Sequence, residues 1–185
     1  MGMIYKIIRS LKWTCSRFIY MNTLKIRIRK VRQKENIRVL FAVAETATWK
    51  NDTLYRAMLK HPRFTPFILV LPDEQKEPSL SKEEVDLCFD FFRKSGYECS
   101  YPYQDGKLIN IRKVLKPDII FYQKPYKAYP RSLLYYKNMN ALFCYTNYAF
   151  HSLLEEWANE NAFFKLVWQN YYENESAYTD LKKRF

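Results

Sequence analysis

Short apolar runs alternate with helix-length polar segments along most of the chain from residue 36 onward. Four runs are rich in β-branched and aromatic residues, which is typical of strands buried on both faces of a sheet. They are Ile37–Ala44, Pro66–Pro72, Asp118–Tyr122 and Ala141–Tyr145, and Tyr97–Tyr101 is a weaker candidate. Helical segments between them give the order β-α-β-α-β-α-β-α-β. With right-handed crossovers, this order predicts an α/β protein with a doubly wound parallel sheet.

Helix signals separate the predicted strands. Asn51 or Asp52 caps a first helix that ends before Pro62. Ser81 and Glu84 form a capping box for a second helix that stops at Gly96. Its buried stripe consists of Val85, Cys88, Phe89 and Phe92. The two remaining predicted helices are a short one marked by Ile111, Val114 and Leu115, and Pro130–Lys137.

The first 34 residues follow a different pattern. Apolar side chains recur at helical spacing and basic ones occupy other angles, which predicts an amphipathic basic helix. The apolar positions are Ile4, Ile7, Ile8, Leu11, Cys15 and Phe18. No uninterrupted apolar run approaches the roughly 18 residues of a membrane span or the roughly 7 to 15 apolar residues of a secretory signal. Residues 24–28 alternate apolar and basic side chains, which fits an edge strand or a charged linker.

Charge divides the chain at the same place. Residues 1–34 carry ten of the 31 Lys and Arg residues and no acid, so the remaining 21 bases face 19 acids. We therefore predict a basic arm over residues 1–34 and one nearly neutral domain over residues 35–185. The four cysteines have no CxxC or metal-type spacing, which indicates reduced thiols and a cytoplasmic compartment.

An anionic membrane surface is one partner that fits the arm. Tyr5, Trp13 and Tyr20 suit a lipid interface, and each base contributes about 1 kcal/mol near an anionic leaflet. A protein partner, or a plain structural role, stays open as an alternative. Nucleic acid is a further rival for any basic segment, but the chain has no recognised nucleic-acid motif and its body is nearly neutral. We accordingly predict no nucleic-acid partner.

Motifs for holding a nucleotide are missing. The chain has three glycines, Gly2, Gly96 and Gly106, so neither GxGxxG nor GxxxxGK[ST] is present after the first strand. Glu45 stands alone at the end of that strand, where a response regulator needs paired acids. No DxD pair offers itself to a metal-bound nucleotide sugar. The sequence therefore predicts a Rossmann-like layout without a cofactor or metal site of its own.

The segments IRVLFAVAETATWKNDTLYRAMLKHPRFTPFILVLP, KPDIIFYQKPY and YTNYAFHS carry a family resemblance. Over residues 36–185 the chain resembles the amino-terminal half of CDP-glycerol glycerophosphotransferase-like proteins of cell-surface polysaccharide synthesis. The resemblance implies a GT-B architecture, in which the first Rossmann-like domain holds the acceptor and a second domain holds the activated donor. On this resemblance we expect the chain to correspond to the acceptor half, without the donor domain.

The same resemblance implies a catalytic histidine. His151 matches the family's base, which deprotonates the acceptor hydroxyl, although Ser152 and Leu153 follow it where the family has Gly and a Pro-Leu-Lys run. An imidazole with a pKa near 6.5 is mostly neutral at pH 7 and can take that proton. The alternative for His151 is a core histidine or a neighbour of a helix cap. His61 precedes Pro62 at a helix end, which favours a role at the helix dipole.

Other candidate substrate contacts follow the predicted strands, since ligands of open α/β sheets bind outside the carboxyl ends of the strands. They are Trp49, Lys50, Asp52, Gln123, Lys124, Tyr126 and Asn147. Several of these residues have a structural alternative. Asp52 would cap a helix, Trp49 would be a packing residue, and residues 123–126 would form a solvated loop. Late aromatic residues, including Trp157, Trp168 and Tyr171, favour a core or a domain interface.

These observations lead to one expected function and one alternative. We expect the acceptor-binding domain of a GT-B-type transferase, inactive alone and peripheral on the inner face of the cytoplasmic membrane. Its donor would be a nucleotide-activated glycerol phosphate or sugar, and its acceptor a polysaccharide or lipid-linked hydroxyl. The alternative is a non-catalytic domain that binds a membrane surface or another partner.

Overall fold

The apolar runs form the strands of a central sheet. The computed structural model describes residues 11, 14–73, 76–123, 137–146 and 163–171. β1 (Ile37–Val43) and β2 (Phe64–Val70) pair in parallel over seven positions, with Ile37 opposite Phe64 and Val43 opposite Val70. Every residue of β1 except Arg38 is buried, as expected for a strand covered on both faces.

Four more strands extend this pair. β3 (Cys99–Ser100) adds to β2, and β4 (Tyr103–Gln104) with β5 (Lys107–Leu108) forms a separate hairpin. β6 (Ile119–Tyr122) pairs with β1, β7 (Leu142–Thr146) with β6, and β8 (Gln169–Tyr171) with β7, all in parallel.

The sheet order is β3-β2-β1-β6-β7-β8. Without the hairpin, the sheet strands follow the order 3-2-1-4-5-6 of the Rossmann fold. The predicted α/β class, with its Rossmann-like parallel sheet, is confirmed.

The helices lie on both sides of this sheet. They are a helical segment over residues 14–22, α1 (Leu24–Arg32), α2 (Asp52–Lys60), α3 (Pro78–Lys94) and α4 (Ile111–Val114). Two short 3₁₀ turns, Thr46–Thr48 and Phe164–Leu166, complete the described elements. In the part of the chain that the structure describes, no helix combines the length and hydropathy that a membrane span requires.

Alternate side chains of each strand enter two separate apolar clusters, because successive strand residues point to opposite faces. One face, which we call the α2/α3 face, buries strand residues such as Phe41 and Phe121 with Tyr55 of α2 and Phe92 of α3. The other, the α4 face, includes the next residues along each strand. Its members are Tyr20, Leu40, Ala42, Ala44, Phe67, Leu69, Leu71, Ile109, Ile111, Leu115, Ile120, Tyr122, Ala141, Phe143, Tyr145, Phe163 and Leu166.

Several local predictions were wrong. Residues 24–28 are neither an edge strand nor a linker: they belong to helix α1, because Leu24, Ile28 and Val31 pack on the core at helical spacing. Ser81 and Glu84 do not cap α3, which begins at Pro78, a residue preorganised for the first helical position.

Two elements were missed altogether. The hairpin turns at Asp105 and Gly106, which both have the positive φ that a two-residue type I′ turn requires. Strand β8 is only three residues long, and two of them, Gln169 and Tyr171, are exposed, so no apolar run marks it. The predicted helix Pro130–Lys137 and the arm helix over residues 4–18 fall mostly outside the described residues.

Candidate functional site

The described residues of the predicted site follow strands β1 and β6, at the carboxyl edge of the sheet. There the strand order reverses between β1 and β6, since β2 follows β1 on one side and β7 follows β6 on the other. Connections diverge at such a switch point and leave a crevice outside the strand ends, where ligands of open α/β sheets bind. The described residues at this edge come from the loop after β1, from Leu71–Asp73 after β2, and from the ends of β6 and β7.

Gln123 lies at this switch point, directly after β6, and links it to the loop after β1. Its Nε2 donates a hydrogen bond of 2.6 Å to the carbonyl oxygen of Thr48, and only 2% of the residue is exposed. Thr48 is itself fixed, because its backbone N–H and its Oγ1 both donate to the carbonyl oxygen of Glu45. The loop after β1 is therefore tied to the end of β6 across the point of reversal.

Two buried acceptors lie side by side at this edge. Tyr122 is paired with Tyr145, so the next residues along the strands, Gln123 and Thr146, are level with each other. Both follow residues of the α4 face, and alternation places their side chains on the α2/α3 face. Among the described residues, neither Gln123 Oε1 nor Thr146 Oγ1 has a hydrogen-bond partner. Buried polar atoms are normally paired, so these two acceptors are exceptions within the described part of the chain.

Trp49, in the loop after β1, belongs to an aromatic cluster on the α2/α3 face. Its ring packs edge-on against Phe41, Phe92 and Tyr97, with ring centroids 5.3 to 5.7 Å apart. Its indole N–H donates a hydrogen bond of 3.3 Å to the hydroxyl oxygen of Tyr97. These contacts anchor the loop after β1 to α3 and to the segment before β3.

Asp52 joins the same cluster from the first turn of α2. It accepts hydrogen bonds from the hydroxyl of Tyr97 and from Nε of Arg56, the latter at 2.9 Å. The Tyr97 hydrogen bond, assisted by the Arg56 charge, lowers the pKa of the Asp52 carboxyl. Asn51 occupies the cap position of α2, although its side chain makes no capping hydrogen bond. Lys50 is exposed in the same loop.

A charged cluster at this edge was not predicted. Lys76 Nζ lies 2.6 Å from one carboxylate oxygen of Glu84 and 3.5 Å from a carboxylate oxygen of Glu45. The hydrogen bond to Glu84 raises the pKa of Lys76, and the Glu45 charge adds to it. Glu45 thus does not stand alone at the end of β1. The sequence gives no signal for this contact, because the three residues lie on separate segments.

Two features disfavour an anion at the position that holds pyrophosphate in dinucleotide-binding proteins. Backbone N–H groups of Thr48 and Trp49 bond within the turn, to the carbonyl oxygens of Glu45 and Thr46. Asp52 is an acid in the first turn of α2, close to the positive end of the helix dipole where a phosphate would bind. Phosphate binding between β1 and α2 would place like charges together.

Four predicted site residues lie outside the described residues: Lys124, Tyr126, Asn147 and His151. The strands that precede them, β6 and β7, are paired in parallel and end at the same edge. His61 is the C-cap of α2 at the opposite edge, and its Nδ1 accepts a hydrogen bond from the backbone N–H of Arg63. Within the described part of the chain, no group of three or more His, Cys, Asp or Glu residues is arranged to hold a metal ion.

Comparison of the chain with protein-family models, with curated proteins and with solved structures found no match.

Proposed function

We propose that this chain is the acceptor-binding half of a GT-B-type transferase. A second, nucleotide-binding half would hold the activated donor, and the acceptor would be a hydroxyl of a cell-surface polymer or of a lipid-linked precursor. The chain alone would be inactive. The donor would supply the transferred group, the acceptor would supply the hydroxyl, and His151 would supply the base. This half would therefore need no cofactor.

One contrast at the carboxyl edge supports the acceptor role. Asp52 places a negative charge in the first turn of α2, which disfavours a nucleotide phosphate between β1 and α2. Nearby, the buried oxygens of Gln123 and Thr146 have no partner among the described residues and suit the hydroxyl donors of a polyol or sugar. A hydroxyl thus fits these two oxygens, whereas a phosphate beside α2 would lie near a like charge.

The proposed chemistry is a single proton transfer coupled to group transfer. An imidazole nitrogen of His151 takes the proton of the acceptor hydroxyl, whose oxygen attacks the donor phosphorus or anomeric carbon. The bond to the nucleotide breaks, and the nucleotide leaves with the electron pair. Gln123, Lys50, Lys124, Tyr126 and Asn147 would surround the acceptor. Trp49 and Asp52 would act through the loop that they anchor, since both already have internal partners.

Calorimetric titration of the purified chain tests this assignment. A glycerol phosphate oligomer serves as the acceptor probe and CDP-glycerol as the donor probe. We expect the oligomer to bind, CDP-glycerol to bind at least about tenfold more weakly, and no steady release of CMP. Thr146→Val keeps the side-chain shape, removes one hydroxyl acceptor, and should weaken oligomer binding by roughly fivefold, the worth of one hydrogen bond. Tighter binding of CDP-glycerol, turnover by the chain alone, or no oligomer binding would contradict the proposal.

A non-catalytic membrane-binding domain is the second candidate. It is favoured by the helical arm, which presents exposed apolar and basic side chains and no acid before Glu35. We propose in either case that the protein is peripheral on the inner face of the cytoplasmic membrane. Vesicle binding without oligomer binding would favour this second candidate over the transferase.

A further inference from the structure

The helical arm crosses beneath the amino edge of the sheet. Tyr20 stacks on Phe143 at 5.1 Å between ring centroids, and its hydroxyl donates to the carbonyl oxygen of Ala141, just before β7. Leu24 then packs against both apolar clusters, one on each face of the sheet. A segment that touches both faces of the sheet must pass around one of its edges. Because Ala141 lies directly before β7, the edge that the arm passes is the amino edge.

Contacts at the end of the arm agree with this path. The Arg63 guanidinium donates to the carbonyl oxygens of Arg32 and Lys34, immediately before β2. Lys34 Nζ lies 2.6 Å from the Asp118 carboxylate, immediately before β6. Residues 14–34 therefore run from the start of β7 to the starts of β1, β2 and β6.

One face of the arm is free of these contacts. Hydrogen bonds from Thr23 N to Ile19 O and from Arg27 N to Thr23 O continue the helical pattern between residues 14–22 and α1. Phe18, Lys25 and Arg29 then share one face, at positions i, i+7 and i+11, opposite Tyr20, Leu24 and Val31. The exposed residues on and beside that face are Phe18, Ile19, Lys25, Ile26, Arg29 and Lys30. Phe18 is 69% exposed and Ile26 is 50% exposed.

We infer that this face of the arm binds an anionic phospholipid surface and that the protein sits with the amino edge of its sheet toward the bilayer. Apolar side chains on such a face enter the lipid interface, and flanking bases meet anionic head groups. No acidic residue lies between residues 11 and 34 to oppose that charge. The inference deepens the proposed function and rests on its membrane attachment, not on the transfer chemistry.

This orientation places the candidate site far from the lipid. β1 has seven residues, which span roughly 20 Å between the two edges of the sheet. A helix of roughly 10 Å diameter lies between that sheet and the bilayer. The carboxyl edge would stand roughly 30 Å above the head groups. An acceptor that reaches it is the growing end of a polymer, whereas the head group of a short lipid in the same leaflet would not reach.

Charge reversal tests the contact face. Lys25→Glu combined with Arg29→Glu should weaken partition into vesicles of phosphatidylglycerol and phosphatidylcholine by about tenfold or more, because each basic group contributes several-fold near an anionic leaflet. The control is Lys82→Glu combined with Lys94→Glu, at exposed positions on α3. It changes the net charge by the same amount as the first pair and should leave partition into vesicles nearly unchanged. Equal weakening by the two pairs would overturn the assignment of this face.

Fluorescent labels test the orientation. Cys15 is exposed on the arm, whereas burial raises the pKa of the Cys88, Cys99 and Cys144 thiols to about 12, so Cys15 should react first. A second label site is Ala47→Cys in a Cys15→Ser background, at the exposed loop of the carboxyl edge. Cys15→Ser alone measures labelling of the other thiols.

Vesicles with brominated acyl chains should quench the label at position 15 and leave the label at position 47 unchanged. Quenching at position 47 that equals or exceeds quenching at position 15 would overturn the orientation. Failure of the unmodified protein to bind these vesicles would overturn membrane attachment as well. Neither result bears on the titration with the glycerol phosphate oligomer, so failure of this inference and failure of the acceptor role are distinguishable.

Discussion

At the scale of single residues, Asp52 stabilises the fold beside the candidate site through its contacts with other side chains. Asp52 and Trp49 both contact Tyr97, which follows α3 and lies 45 residues beyond Asp52. The Arg56 guanidinium stacks over the Tyr97 ring at 5.0 Å and bonds Asp52 as well. The ionised carboxylate is thus the form of Asp52 that the folded chain favours.

Stability should consequently depend on the charge of Asp52. A carboxyl whose pKa is lowered by folding stabilises the protein above its unfolded pKa, near 3.9, and loses that contribution as the pH falls through the folded value. Asp52→Asn should lower the free energy of unfolding at pH 7, and its difference from the unmodified protein should shrink below about pH 4. Urea denaturation at pH 7, 5 and 3 measures this.

Glu83→Gln, which removes an exposed carboxylate from α3, controls for the loss of one negative charge. A difference between Asp52→Asn and the unmodified protein that stays constant from pH 7 to pH 3 would show that the Asp52 charge is not what Tyr97 and Arg56 stabilise.

At the scale of elements, the longer apolar runs were predictable and the marginal segments were not. β1, β2, β6 and β7 are buried on both faces, so their composition alone marks them. Residues 24–28 alternate apolar and basic side chains like a strand. Their helix forms because Leu24, Ile28 and Val31 meet an apolar surface that the rest of the fold creates. Tertiary contact decides such segments, and periodicity over five residues does not reveal it.

The arm is accordingly part of the folded structure, and Tyr20 tests this. Tyr20 is fully buried and stacks on Phe143. The Arg27 guanidinium carbon lies over the Tyr20 ring, 4.3 Å from the ring centroid. Tyr20→Ala should cost about 3 to 5 kcal/mol of unfolding free energy, as for other buried aromatic residues. Tyr20→Phe removes only the hydrogen bond to Ala141 and should cost about 1 kcal/mol.

Urea denaturation followed by circular dichroism measures both variants. Phe18→Ala, two residues away on the exposed face, is the matched control and should change stability by about 0.5 kcal/mol or less. If Tyr20→Ala were as mild as Phe18→Ala, the arm would not be docked on the amino edge. The same docking means that removal of residues 1–34 would take Tyr20 from the core, so point substitutions are the sounder test of membrane binding.

At the scale of the whole molecule, the amino and carboxyl edges of the sheet have different chemistry. Basic and apolar side chains of the arm lie at the amino edge, and the buried oxygens of Gln123 and Thr146 lie at the carboxyl edge. The carboxyl edge was predictable, because the order of parallel strands dictates where the polar residues after each strand converge. The Glu45–Lys76–Glu84 cluster was not, since it depends on how separate loops meet.

We propose that an acceptor binds beside His151 at the carboxyl edge. The chain has two histidines, and His61 lies at the opposite edge as a built-in control. Heteronuclear NMR of the imidazole rings, assigned with His61→Gln, therefore tests the claim when the glycerol phosphate oligomer is added. We predict that the His151 signal shifts in proportion to bound oligomer while the His61 signal stays in place. Bound oligomer that leaves the His151 signal unchanged, or that moves only the His61 signal, would contradict an acceptor site beside His151.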